Sequence, residues 1–434
     1  MTQHQMGFWS VVAVGIGGMV GGGIFAVLGL AVKVTQGGAP LAFGLAGILA
    51  LFTAYSYANL SVSFPSRGGT VIFFNRAFGT GLFTGGMNIL LWLSYIVMLS
   101  LYASAFGSYG ATFFPESFQG WAKHLLISGI IVAITGLNLL SADLVGRAER
   151  WIVIFKLVIL TLFVGMGCQG IQGKSIQPDT WASPLALVAG GMLIFLAYEG
   201  FELIANAAED VKDPGRILPR AYYTAVGFVL ILYVLIAMIT VGTLSLSEIQ
   251  AAHEYALAAA AKPFLGPEGF TLIAIAAMLS TASAINATLY GTSRLSYMIA
   301  KSGELPKILE KKVWNQPIEG LLITSTLTLV IANFFDLSGI STMGSSGFLI
   351  IFAAVNWANV KLHSQTRSHR WVSLIGAIAS IAAVLVLLGQ TAQTQPQNLW
   401  VVVIMVLTAF TLELIYRALK GRTLRLNQPP KSDP

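Results

Sequence analysis

The sequence predicts an all-α integral membrane protein of twelve transmembrane helices, and three observations lead there. Asp, Glu, Lys and Arg make up only 10% of the 434 residues, where a soluble domain carries about 25%. Mean hydropathy is +0.76, and apolar runs of about 20 residues recur, long enough to cross the hydrocarbon core of a bilayer as helices. The short segments of alternating polarity that a membrane β-barrel needs are missing. A soluble enzyme or nucleic-acid-binding protein is excluded by the same composition. One cysteine, Cys168, permits no internal disulfide, and five scattered histidines lack metal-ligand spacing, so no metal and no cofactor are expected.

Polar or Pro/Gly punctuation divides the apolar runs into spans at 7–32, 40–63, 82–113, 124–141, 151–170, 185–206, 219–243, 268–299, 318–335, 339–360, 371–389 and 398–419. The ninth and tenth are separated by the break at Asp336 and Gly339. No cleavable leader is expected, because the first apolar run continues past the length of a signal h-region without a small-residue cleavage site. With both termini placed in the cytoplasm, twenty Lys and Arg residues fall in cytoplasmic connections and the tail, and four (Lys33, Lys123, Lys174 and Lys262) fall on the other side. This asymmetry explains the net charge of +7 and supports an even number of spans in an inner (plasma) membrane, with both ends cytoplasmic. The bilayer is the expected partner; no nucleic acid and no obligatory protein partner are expected.

Two spans depart from regular helix chemistry. The first carries Gly15, Gly17, Gly18, Gly21, Gly22 and Gly23, and three consecutive glycines at mid-membrane mark a place for a helix to unwind. Taken alone, these glycines also fit close helix packing. The sixth span contains Phe195-Leu196-Ala197-Tyr198-Glu199-Gly200-Phe201-Glu202, two carboxylates and a glycine near mid-depth, which alone also fits a helix end reaching water. Interrupted helices five spans apart point to an inverted repeat with a binding site at the midplane. An unwound helix exposes carbonyls on one side of the gap and N–H groups on the other, and those N–H groups attract an anion. A zwitterion suits such a gap: its carboxylate on the N–H groups around Gly22, Gly23 and Ile24, its ammonium near the carbonyls of Met19, Val20, Ala197 and Tyr198. Gly21, Phe195, Glu199 and Gly200 complete the expected substrate site. Phe195, Phe201 and Glu202 are candidate gating or lining residues, although aromatics at this spacing also serve packing.

Lys156 stands inside the fifth span, about 9 Å beyond Arg150 at 1.5 Å per residue, a little too deep for its side chain to snorkel to water. Glu199 fits three roles that sequence leaves open: taking protons, attracting a substrate ammonium, or pairing with a cationic side chain.

These residues resemble the amino acid–polyamine–organocation (APC) superfamily. The resemblance rests on Gly21-Gly22-Gly23-Ile24-Phe25; on Tyr57 to Ser61 with Phe64 to Gly69, where Asn59 replaces a common Glu; on Ala205 to Pro214 with Pro219 to Ala221; and on Ser283 to Thr288 with Gly303 to Pro306. Within the superfamily the likeness is greatest to archaeal proton-coupled, sodium-independent transporters of broad specificity, from which Glu199 and Glu202 depart. The resemblance implies a single transporter domain over 1–434 with a LeuT-type 5+5 inverted repeat: helices 1–5 in 7–170, helices 6–10 in 185–360, helices 11 and 12 in 371–419, and a cytoplasmic tail at 420–434. It further implies amino acid and proton symport by alternating access. Lys156, with Ser280 and Ser283 of the eighth span, would occupy the place of a sodium ion and exchange a proton. Exchange of amino acids and sodium symport are the alternatives on this fold. An intramembrane enzyme lacks a nucleophile–base pair or metal ligands in the spans.

Overall fold

The computed structural model of the chain describes residues 6–140, 143–171, 177–301 and 318–420. The described residues form helices, with two isolated β-bridges, Met6 to Val211 and Gln36 to Trp181. Helices α1 (Phe8–Met19) and α2 (Gly23–Thr35) make one span bent by 47°. Then come α3 (Ala39–Ser63), the short α4 (Gly69–Phe78), α5 (Leu82–Ala111), α6 (Glu116–Leu140) and α7 (Asp143–Gly167). A second bent span, 41° between its parts, joins α8 (Pro184–Leu193) to a 3-10 stretch (Phe195–Glu202) and the single turn α9 (Leu203–Asn206). The chain continues through α10 (Pro214–Thr243), α11 (Leu246–Ala252), α12 (Ala256–Lys301), α13 (Ile318–Phe334), α14 (Leu337–Lys361), the single turn α15 (His363–Thr366), α16 (Arg370–Thr394) and α17 (Pro396–Lys420).

Among the described residues nine helices are long and apolar enough to cross a membrane, or eleven spans when each bent pair is counted as one. The apolar α13, 17 residues, is about 26 Å long, close to the 30 Å of a hydrocarbon core. The expected break between the ninth and tenth spans is present: Asp336 caps α14 by accepting the Gly339 N–H at 2.9 Å. Other boundaries move for local reasons. α10 starts at Pro214 rather than 219, since a proline at the first helical position loses no hydrogen bond, and Pro219 lies in the second turn. The connections expected at 64–81 and 244–267 contain α4, α11 and the first part of α12, pieces too short to span. α12 is divided at Gly266 (φ 69), between Pro263 and Pro267, and only its second part is the expected eighth span. The expected tail beyond Lys420, the side chains of Arg147 and Arg150, and the 303–306 motif lie outside the described residues.

Both described ends lie on one face. The Met6 N–H donates to the Asp210 carbonyl at 2.7 Å and the Lys212 N–H returns to Met6 at 3.0 Å. Arg67 pairs with Asp210 at 3.0 Å, and Arg417 at the other end donates to the Thr80 carbonyl at 2.8 Å. On the opposite face, Lys123 pairs with Glu254 at 2.7 Å. Inside, α3 lies along α10, α5 along α12, and α1 crosses the 3-10 stretch, so each of these contacts joins elements of the first half to elements of the second.

Glu413 is fully buried near the end of α17, and Arg417, one turn on, donates to it at 2.7 Å. Removing the cation strands a carboxylate, which costs more than losing an exposed ion pair. Arg417→Ala is expected to lower stability by about 2 kcal/mol, and adding Glu413→Gln to recover most of that, as read by thermal unfolding of the detergent-solubilised protein.

Candidate functional site

The break in the first span exposes the C-terminal carbonyls of α1, which have no partners within their own helix. Side chains from three other helices cover them. Lys156 of α7, only 1% exposed, donates to the Gly17 carbonyl at 3.0 Å. Tyr233 of α10 donates to Met19 at 2.6 Å. Ser280 of α12 donates to Gly21 at 2.5 Å and to Val20 at 3.3 Å. The negative end of α1 is a favourable place for an ammonium, and the depth of Lys156 agrees with a side chain that does not snorkel. The contact falls on Gly17, two residues before the last residue of α1. The carbonyls of Met19 and Val20, expected to be open to a ligand, each already accept one hydroxyl and keep one lone pair.

Across the break, the N–H groups of Gly23, Ile24 and Phe25 open α2 without an acceptor inside that helix. None of Gly21, Gly22 or Gly23 has positive φ; close approach is what requires glycine here. A Cβ on Gly22 would lie 2.3 Å from the Tyr102 ring.

Span six tightens where unwinding was expected. A 3-10 helix repeats every three residues, so side chains three apart stack into ridges. One ridge holds Phe195, Tyr198 and Phe201, which pack away from the break: Phe195 against Phe352, Tyr198 against Tyr233 with its hydroxyl on the Phe43 carbonyl at 2.9 Å, and Phe201 against Tyr57, Tyr222 and Phe352. A second ridge, Ala197 and Gly200, is small, and here the two broken spans touch. A Cβ on Gly200 would lie 2.2 Å from the Gly18 carbonyl carbon, and one on Gly23 would lie 2.9 Å from the Ala197 Cα. The third ridge stacks Glu199 on Glu202, both buried. Glu202, 1% exposed, also accepts the Tyr57 hydroxyl at 2.7 Å and the Tyr95 hydroxyl. Ser341 and Ser345 of α14 donate to the Leu193 carbonyl at the end of α8, both at 2.7 Å.

A cavity of about 630 Å³ runs from Met6 and Trp9 on the face holding both ends to Gly17, Gly18, Tyr102, Glu199 and Ser283 at the breaks. That volume suits a small-molecule site. Toward the other face the path is packed: Tyr109 donates to the Phe25 carbonyl at 3.1 Å, and the His253 carbonyl lies so near α2 that a Cβ on Gly29 would sit 1.7 Å from it. The structure therefore brings Met19 to Ile24, Ala197, Glu199 and Gly200 to one place, with Lys156, Ser280 and Ser283 beside them. It sets Phe195, Tyr198, Phe201 and Glu202 one layer back. Sequence reasoning missed Tyr57, Tyr95, Tyr102 and Tyr233; their signal was a phenol hydroxyl inside an apolar span, which must find a partner there.

The sequence profile of the amino acid permease family matches residues 6–410. Over 433 residues the chain is 34% identical to an uncharacterized protein of Methanocaldococcus jannaschii, covering 100% of each. It is 35% identical over 382 residues to the inner membrane transport protein YbaT of Escherichia coli, covering 87% of this chain and 88% of that one. With the branched-chain amino acid permease BcaP of Bacillus subtilis it shares 23% identity over 392 residues, 84% of this chain and 82% of that one.

The crossing at Gly18 and Gly200 leaves no room for a methyl group. Gly200→Ala is expected to cost on the order of 1–3 kcal/mol by overpacking and to abolish transport. Gly165→Ala, with no atom within 4 Å of the added Cβ, is expected to change neither; thermal unfolding and vesicle uptake check both.

Proposed function

This chain belongs to the amino acid permease family of the APC superfamily, and from that premise we propose that it carries amino acids with a proton, independently of sodium, by alternating access. It is a membrane transporter and not an enzyme. In this reading twelve spans form a 5+5 inverted repeat of LeuT type, with 7–170 and 185–360 as the repeats, in an inner (plasma) membrane with both termini cytoplasmic. The packing of α1 on the 3-10 stretch, α3 on α10 and α5 on α12 supports the repeat, since each pair matches elements five spans apart. The cavity then opens to the cytoplasm.

The observation that carries the function is the broken end of α1 facing the start of α2 at the head of the cavity. A substrate carboxylate rests on the N–H groups of Gly22, Gly23 and Ile24, where helix polarity favours an anion. Its ammonium meets the remaining lone pairs of Met19, Val20 and Ala197. Tyr102, beside Gly22, closes the wall.

Lys156 supplies the coupling. As an ammonium it holds the Gly17 carbonyl and ties α7 to the end of α1; as a neutral amine it loses much of that attraction, and α1 is freer to move with the 3-10 stretch. Ser280 keeps its own hold on Val20 and Gly21, and Ser283 faces the cavity nearby. A proton on Lys156 thus favours one arrangement of the bundle over the other, which is what a coupling ion must do. Uptake of labelled alanine into proteoliposomes is expected to follow an inwardly directed proton gradient without sodium, and Lys156→Ala to abolish that dependence. Uptake that requires a sodium gradient and ignores pH would contradict the reading. Counterflow unchanged in Lys156→Ala, with no gradient-driven uptake in either protein, would mark an exchanger.

A further inference from the structure

The cavity wall carries one carboxyl group, that of Glu199, and among its described lining residues no lysine, arginine or histidine. Glu199 is 3% exposed. Behind it, Glu202 accepts hydroxyls from Tyr57 at 2.7 Å and from Tyr95. Because Tyr57 spends its only proton on Glu202, Thr70 is the donor in its own contact with Tyr57, at 2.8 Å. Glu202 is held as an acceptor from two sides, and Glu199 stands one 3-10 turn before it on the same ridge. Two carboxylates stacked one 3-10 turn apart in a dry interior do not both ionise, and since Glu202 is the one held by two hydroxyl donors, the proton rests on Glu199. Two bare carboxylates stacked in an apolar interior repel each other strongly. Glu199 gives up that proton only when a cation arrives to replace it.

The groups that face Glu199 do not provide that cation. On its own stretch stands Glu202, and from α5 come Tyr95 and Tyr102, both phenols. Lys156 of α7 is bound to the Gly17 carbonyl. The remaining source is the cavity itself.

We propose that Glu199 makes this carrier accept basic amino acids, whose side-chain ammonium or guanidinium pairs with the Glu199 carboxylate. On binding, the Glu199 O–H bond breaks, its proton passes to cavity water, and the substrate cation, still charged, takes its place between the two glutamates. A neutral amino acid brings no second cation, and the proton stays. An acidic side chain finds no counter-charge among the described lining residues and is excluded. The inference rests on the amino acid reading above and names the side-chain class that this site distinguishes.

The test is displacement of labelled alanine from the purified full-length protein by lysine and by glutamate, in wild type, Glu199→Gln and Glu199→Asp. The quantity read is the affinity for lysine relative to alanine. In the wild type lysine displaces alanine and glutamate does not, and the ratio rises with pH by up to about tenfold per unit, as one proton released per lysine requires. Glu199→Gln lowers the ratio at least about tenfold and removes its pH dependence, whatever it does to alanine alone; Glu199→Asp, if it folds less well, still keeps the pH dependence. Alanine binding with no displacement by lysine, or a ratio unchanged in Glu199→Gln, overturns the inference and leaves the amino acid reading standing. Binding of neither alanine nor lysine overturns that reading, and this inference with it.

Discussion

A backbone carbonyl inside a bilayer has no water to turn to, and the functional part of this molecule is organised around that constraint. When α1 stops at Met19, its last carbonyls need donors. Lys156, Tyr233 and Ser280 supply them from α7, α10 and α12. The satisfied end of one half-helix thus becomes the junction of four elements, any of which moves only by releasing or carrying that junction. The opposite side of the gap is left otherwise: the first N–H groups of α2 have no acceptor in their own helix. The asymmetry between a carbonyl end partly served by side chains and an amide end with no acceptor in its own helix is what suits the break to an anionic head group.

The second broken span solves the same problem without opening. A 3-10 stretch keeps its backbone bonded, as in the Ala197 N–H to Ile194 carbonyl bond of 3.0 Å, while its three-residue period sorts side chains into an aromatic ridge for packing, a small ridge for the crossing with α1, and an acidic ridge beside the cavity. One change of helical period therefore places Gly200 against Gly18 and Glu199 upon Glu202. An α-helix there would carry residues three apart some 60° round the axis, given 3.6 residues per turn, and would disperse those ridges.

Much of this was legible in the sequence. Hydropathy located the apolar helices, nine to eleven of them long enough to span among the described residues; the three glycines at 21–23 marked the first break; Lys156 stood out as a cation in an apolar run; and Asp336 was recognisable as the divider of two helices. What escaped was the chemistry that depends on neighbours distant in the chain. Nothing in the order of residues assigns Tyr233 to Met19 or Tyr95 to Glu202, since partners in lipid are chosen by packing. The glycine triplet fitted both an unwound break and close packing, and the structure has both: a bend of 47° between α1 and α2 and the close approach of Tyr102 and Ala197. The 3-10 period was present in Phe195, Tyr198 and Phe201 against Glu199 and Glu202, but over eight residues a period of three is hard to tell from 3.6. Helices such as α4 and α11 are too short to announce themselves by apolar length.

The central claim is that a zwitterion sits in the gap between α1 and α2. An experimental structure of the full chain with alanine bound tests it most directly. The account requires the carboxylate within hydrogen-bond distance of the amides at Gly22 to Ile24, the amino group turned toward the carbonyls of Val20 and Ala197, and Lys156 still at the end of α1. Alanine bound elsewhere, or a first helix continuous through 20–22, would contradict it.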